Sequence, residues 1–282
     1  MIKKGGRVLD SKKIDQFIVK VKSESSNIKF IEKDVIYKLI NNFITTEKEG
    51  TYSKEIKEPL EMVLQFYKYY NYKYFEMITR GLKSKRIIVG DEVFKSYTST
   101  ISNNTYISLN DNDGDVFMLT HELAHYVDRN SKPFIIPDEY WFLGETFPLY
   151  MEKKLEAWLR SEEYQALIST RRKNRVYFES EMLKAVENEL YYEDLYKETG
   201  EISIIKIDEE KVRSIIRYDV SDNIVNTLLG YPLANILSEY LINIQLELLD
   251  NELFIKCLDA DLREVINDYL PHLGCNMQYA KK

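Results

Sequence analysis

The run His121-Glu122-Leu123-Ala124-His125 sets two imidazoles four residues apart with a carboxylate between them. On a helix, residues four apart share one face on successive turns, so both rings can reach a single metal ion. Glu122 is offset from that face and meets a water on the ion, the place of a general base. The chain holds only three histidines, and two of them sit here. Composition alone yields about 0.005 occurrences of this spacing per chain, so the pattern is not read as incidental. The third, His272, has no partner at ligand spacing and reads as a surface or packing residue.

A catalytic zinc takes three protein ligands and keeps one position open. Ser131 stands where a metzincin carries its third histidine, which sends the search to downstream acids. Glu145 lies 20 residues after His125, in Leu-Gly-Glu-Thr-Phe-Pro-Leu-Tyr-Met-Glu-Lys-Lys-Leu. A single loop can fold a helix starting there back across the first one, the gluzincin arrangement. The expected ligands of one Zn2+ are therefore His121, His125 and Glu145. The plainer alternative for Glu145 is a solvated acid at the positive end of a helix dipole. Glu152 follows Glu145 by seven residues, two turns along the same face. From there a carboxylate can accept from the free nitrogen of a ligand histidine and fix its tautomer. Asp128, three residues after His125, is a second candidate for that position.

The elements that must hold these groups follow from period and punctuation. Only 10 Gly and 6 Pro interrupt the chain, which favours long helices. Helix is expected over Lys33 to Phe43 and in one long stretch from about Glu58 to Leu82, with Pro59 in its first turn. The aromatic run over residues 66–75 inside that stretch reads as core and interface packing. The period then changes: Arg86 to Val89 and Thr105 to Leu109 read as short strands.

The turn Asn110-Asp111-Asn112-Asp113-Gly114 is not an EF-hand, because Leu109 would occupy the first ligand position. It reads instead as an acidic cap on a helix over Asp115 to about Arg129. Further helices are expected from near Gly144 to about Arg171, with room for a break, then over Glu179 to Glu198, Asp208 to Arg217 and Asn223 to Leu249. Glu201 to Lys206 is left open between strand and loop. With no repeat and no low-complexity linker, a single domain over 1–282 is expected. Its parts are a helical 1–85, a sheet with the zinc-site helices at 86–175, and a helical 176–282.

Composition narrows the function classes. The chain is 44% hydrophobic with 22 Tyr and 12 Phe, too apolar for disorder. Its net charge of -7 argues against nucleic acid as a partner. Cys257 and Cys275 match neither a disulfide framework nor a zinc knuckle, which fits reduced cytoplasm. Charges interrupt every apolar run near the N-terminus, so neither a signal-peptide core nor a membrane span is predicted.

The stretch from Tyr106 to Asp128, followed by Leu143 to Leu155, resembles the catalytic core of the oligoendopeptidase F and thimet oligopeptidase family of zinc metallopeptidases. That family carries a strand, an acidic or glycine-containing turn, a helix with HExGHxxH and a later ExxSxxxE helix in this order. The resemblance implies a mainly α, zincin-like fold with a small sheet. It also implies zinc on His121, His125 and Glu145, with Glu122 as catalytic base and Glu152 as the outer carboxylate. It covers about Arg86 to Leu159, is thin over Tyr218 to Leu246 and is absent elsewhere. Ala124, Asp128 and Pro148 depart from the family's glycine, histidine and serine. The family's C-terminal loop supplies a histidine and tyrosines to the tetrahedral intermediate; the corresponding region here offers only Tyr218 and Tyr231. About 85 residues precede the sheet, so the helical wall that closes a deep channel in the family is expected to be short.

The resulting expectation is a cytoplasmic zinc metallopeptidase that hydrolyses oligopeptides or unstructured chains. The peptide substrate is expected to pair with an edge strand at Thr105 to Leu109. Two other readings share the motif: an HExxH regulatory protease acting on one specific protein, and a zinc-stabilised, non-catalytic peptide-binding protein. Glu122 argues against the second, because a structural zinc has no use for a general base.

Overall fold

A computed structural model of the chain describes residues 11–24, 33–46, 48–90, 93, 95–99, 102–131, 143–160, 162–203, 206–216 and 224–243. These residues are mainly helical, with one small sheet. In chain order they form α1 (Ser11–Glu24), α2 (Lys33–Phe43), α3 (Pro59–Tyr70), α4 (Tyr72–Lys83), β1 (Ile87–Val89), β2 (Tyr97–Thr98) and β3 (Thr105–Ile107). There follow α5 (Asp115–Ser131), α6 (Leu143–Trp158), α7 (Gln165–Thr199), α8 (Glu209–Ile216) and α9 (Ile224–Asn243), with a 3-10 turn at Glu162–Tyr164 before α7. None of the described helices is long and apolar enough to cross a membrane. His272, Cys257 and Cys275 lie outside the described residues.

The described residues fall into two compact units, one within Met1–Thr46 and Phe178–Tyr231, the other within Glu47–Tyr177 and Pro232–Lys282. In the first, Phe17 of α1 meets Tyr192 edge-on at 5.2 Å. Ile36, Leu39, Leu183, Val186, Leu190, Val212 and Ile215 are buried in the same unit. The hydroxyl of Tyr192 accepts from the Asp208 N–H at 2.9 Å, which ties the start of α8 to α7.

The second unit carries the motif, and its elements differ from expectation in instructive places. The predicted helix over Glu58 to Leu82 is two helices. Asn71 is extended (φ -155, ψ 106), and its side chain accepts from the N–H groups of Lys73 and Tyr74. An asparagine that satisfies two open helix-start donors stabilises a break that the apolar stripe alone does not signal. Part of the aromatic run is packing material as expected, since Phe66 contacts Tyr67, Tyr70 and Trp158 and Tyr74 meets Phe147 edge-on, whereas Tyr69 and Tyr72 are exposed.

The sheet has the order β1-β3-β2, with β1 parallel and β2 antiparallel to β3. The Thr105 strand is therefore central rather than an edge, which corrects the expected pairing of substrate with it. Strand β2 was missed because two residues are too short to show alternation. Ile87, Thr105 and Ile107 face the core. Across the other face, Ile88 pairs in register with Tyr106 and Tyr106 with Tyr97, whose rings stack at 4.9 Å.

Helix α4 meets this layer closely at Gly81. A Cβ there would lie 2.7 Å from both Ile87 Cδ1 and Tyr126 Cζ, so a glycine lets α4, β1 and α5 approach. The turn before α5 places the acid Asp115 in the first helical turn as expected, whereas Asp113 does not serve as a cap. Asp113 accepts from the backbone N–H groups of Glu55 and Ile56 and from the Ser53 hydroxyl, so it fastens the segment before α3. Asp115 accepts from the N–H groups of Asn110 and Asn112 and closes the turn on itself.

Helix α6 ends at Trp158, the 3-10 turn stands before Gln165, and α7 then runs for 35 residues through the predicted boundary between Arg171 and Glu179. Glu201–Ser203 lie in neither helix nor strand, which resolves the described part of the open segment.

Candidate metal centre

Helix α5 buries Val116, Phe117, Leu119, Thr120, Leu123, Ala124, Tyr126 and Val127. The apolar positions take most of its circumference, and His121, Glu122 and His125 occupy the part left half-buried. The helix is fixed from the α3 side by the Tyr67 hydroxyl, which donates to the Thr120 carbonyl at 2.8 Å, one residue before His121. Burial pushes that tyrosine well above its usual range, so it stays a donor.

Helix α6 packs more extensively on α5 than any other element does. It carries Pro148 inside its body, where the missing N–H removes a bond to the first turn. Glu145 in that first turn reaches back to both imidazoles. His121 Nε2 lies 3.1 Å from Glu145 Oε2, His125 Nε2 lies 3.5 Å from Glu145 Oε1, and the two Nε2 atoms are 3.2 Å apart. Donors about 2.0–2.1 Å from a zinc-sized ion at tetrahedral corners stand about 3.3–3.4 Å from one another. The three observed separations bracket that edge length. His121, His125 and Glu145 can therefore hold a metal ion, as the donor types and their convergence both require.

The carboxylate behind His121 is Glu152, which is fully buried. Its Oε1 lies 2.8 Å from His121 Nδ1, so of the two outer candidates Glu152 takes this place on His121. The other oxygen, Oε2, accepts from Arg171 Nε at 2.9 Å, from Arg171 Nη2, and from Arg175 Nη2 at 2.6 Å. The Arg171 guanidinium lies over the Phe117 ring at 5.5 Å. Sequence reasoning missed both arginines. Their signal was present: four residues apart on one helix, they share a face of α7.

Electrostatics follow from this packing. Burial alone would raise the Glu152 carboxyl, but Arg171, Arg175 and His121 outweigh it and hold it well below the usual carboxylate range. Burial likewise opposes ionisation of Glu145, and the two histidines reverse it. Burial also pulls His121 down, yet hydrogen bonds to Glu145 and Glu152 win and push its imidazolium up to about 10. Glu122 behaves differently: burial raises its carboxyl, and the two imidazoles only partly offset the rise. Among the described residues its Oε2 is shut off from solvent with no hydrogen-bond partner.

Of the residues considered for transition-state support, Tyr218 lies outside the described residues. Tyr231 belongs to the other unit, where its ring meets Phe178 edge-on at 5.8 Å. No protein-family model, curated protein or solved structure matches the chain.

Proposed function

We propose that the protein is a zinc-dependent metallopeptidase acting on oligopeptides or unstructured chains, with a zincin-like, gluzincin-type site. The observation that carries this reading is Glu122. A solvent-shielded carboxylate oxygen without a partner costs stability, and a polar group left in that state is expected at a place of chemistry. A site that only stapled the fold would gain nothing from it.

His121, His125 and Glu145 would hold the ion. A zinc ion held there would supply Lewis-acid polarisation of a scissile carbonyl and activation of a water. Glu122 would take the proton from the attacking water as its oxygen bonds to the carbonyl carbon, and would deliver it to the amine nitrogen as the C–N bond breaks. Burial raises its carboxyl above the usual range, which suits it to hold a proton between the two halves of the transfer. Glu152 keeps the His121 Nδ1–H engaged, which leaves Nε2 as the metal-facing atom. The resemblance of the Tyr106 to Leu155 region to oligopeptidases supports unstructured peptides as the substrate class.

Glu145→Ala is expected to remove most bound zinc, measured by metal analysis after dialysis, together with cleavage of a peptide library read by mass spectrometry. Zinc retained at full occupancy in Glu145→Ala would show that the ligand set is wrong. Digestion of a folded protein at a rate matching free peptides would overturn the substrate assignment, and one cleaved sequence in the whole library would redirect it to a specific protease.

Zinc uptake also competes with the proton on His121. Since that imidazole loses its proton only near pH 10, the apparent zinc affinity is expected to rise with pH across 7 to 9, by up to about tenfold per unit. Calorimetric titration in two buffers of different ionisation heat should show protons released on binding. A pH-independent affinity with no proton release would contradict the assignment of His121 as a ligand.

A further inference from the structure

Resting on the reading of His121, His125 and Glu145 as metal ligands, we propose that Arg171 and Arg175 are positioning residues for His121, acting through Glu152. A buried carboxylate can turn about its last bond and exchange its oxygens. Here that freedom is removed: three N–H groups from two guanidinium ions converge on Oε2 and leave Oε1 to His121 Nδ1. One guanidinium would balance the charge of Glu152. The second is surplus to charge balance, and what it adds is a further donor on Oε2 from a point one helical turn away on α7.

The arrangement closes on itself. Arg171 rests on Phe117, which lies four residues before His121 on α5, and its donors reach Glu152 on α6, whose other oxygen returns to His121. Arg175 is nearly buried, with its side chain 10% exposed, so its contact with Glu152 is shielded from water. The orientation of His121 is thus set by three helices at once rather than by α5 alone. In consequence, the metal affinity of α5 and α6 depends on α7, which supplies no ligand.

The test uses the full chain with zinc as the probe. Affinity is measured by competition with a chromophoric chelator, and the imidazole NMR of the zinc-loaded protein reports the His121 Nδ1–H. With only three histidines in the chain, that resonance can be assigned. Arg171→Gln and Arg175→Gln are each expected to weaken zinc binding by about tenfold, at the lower end of the range for partners behind metal ligands. Each is also expected to broaden or lose the hydrogen-bonded Nδ1–H signal. In a Glu152→Gln background the same changes should cost less than about twofold, since the path is already cut.

Arg171→Lys keeps the charge but not the fork, so it is expected to recover stability without recovering affinity. It also serves as the readout should either glutamine variant fail to fold. Unchanged affinity and an unchanged Nδ1–H signal in folded variants would overturn the inference. Full recovery of affinity by lysine would do so too, by reducing the role to charge alone. Absence of zinc binding in the unaltered protein would instead overturn the metal reading beneath it.

Discussion

Glu122→Gln is expected to keep bound zinc and the thermal stability of the protein while lowering kcat by at least ~100-fold, with KM much less affected. Glutamine matches the size of the side chain but cannot accept the proton. Because Oε2 of Glu122 has no hydrogen-bond partner among the described residues, the substitution breaks no contact of that oxygen. It also removes a charge that burial disfavours, so no loss of stability is expected. Steady-state kinetics on a cleaved library peptide, with zinc content measured on the same sample, separates the outcomes. A variant that retains the kcat of the unaltered protein would remove Glu122 from the reaction.

Glu152→Ala is expected to be the most damaging single substitution to the fold around the centre. Glu152 is fully buried and is the shared acceptor for Arg171 and Arg175, whose side chains are 25% and 10% exposed. Removing one side of a buried charge pair leaves an uncompensated charge and costs about 3–5 kcal/mol. Two guanidinium ions lose their acceptor here, so the upper part of that range is expected from urea unfolding of the zinc-free protein. Zinc affinity should fall as well, by about 10–100-fold, through loss of the His121 partner. Glu152→Gln keeps the volume and one acceptor and should cost less stability. A Glu152→Ala protein as stable as the unaltered one would mean that the arginines find other partners at no cost.

The candidate ligand cluster was legible in the sequence because two of its members are brought together by local helix geometry. His121 and His125 need only a regular α5, and Glu145 needs only one reversal of the chain. Glu152 followed from the same arithmetic, seven residues beyond Glu145. What stayed hidden depends on tertiary packing. Arg171 and Arg175 read as part of a polar helix, since α7 has no single apolar stripe to indicate a buried face. The boundary inside α7 was misplaced for the same reason. At Asn71 the apolar stripe continues from α3 into α4, so period gives no sign of the break, and only the capping chemistry of asparagine does. The position of β3 between two neighbours could not be read without β2, whose two residues carry no alternation.

Peptide-bond hydrolysis is proposed to require a zinc ion on His121, His125 and Glu145. The most direct measurement removes metal with a chelator, confirms its absence by metal analysis, and then returns zinc in steps while peptide cleavage is followed. Cleavage is expected to vanish with the metal and to recover linearly up to one zinc per chain. Cleavage that persists in the metal-free protein, or a protein that binds one zinc at these residues and cuts no peptide in a broad library, would contradict it.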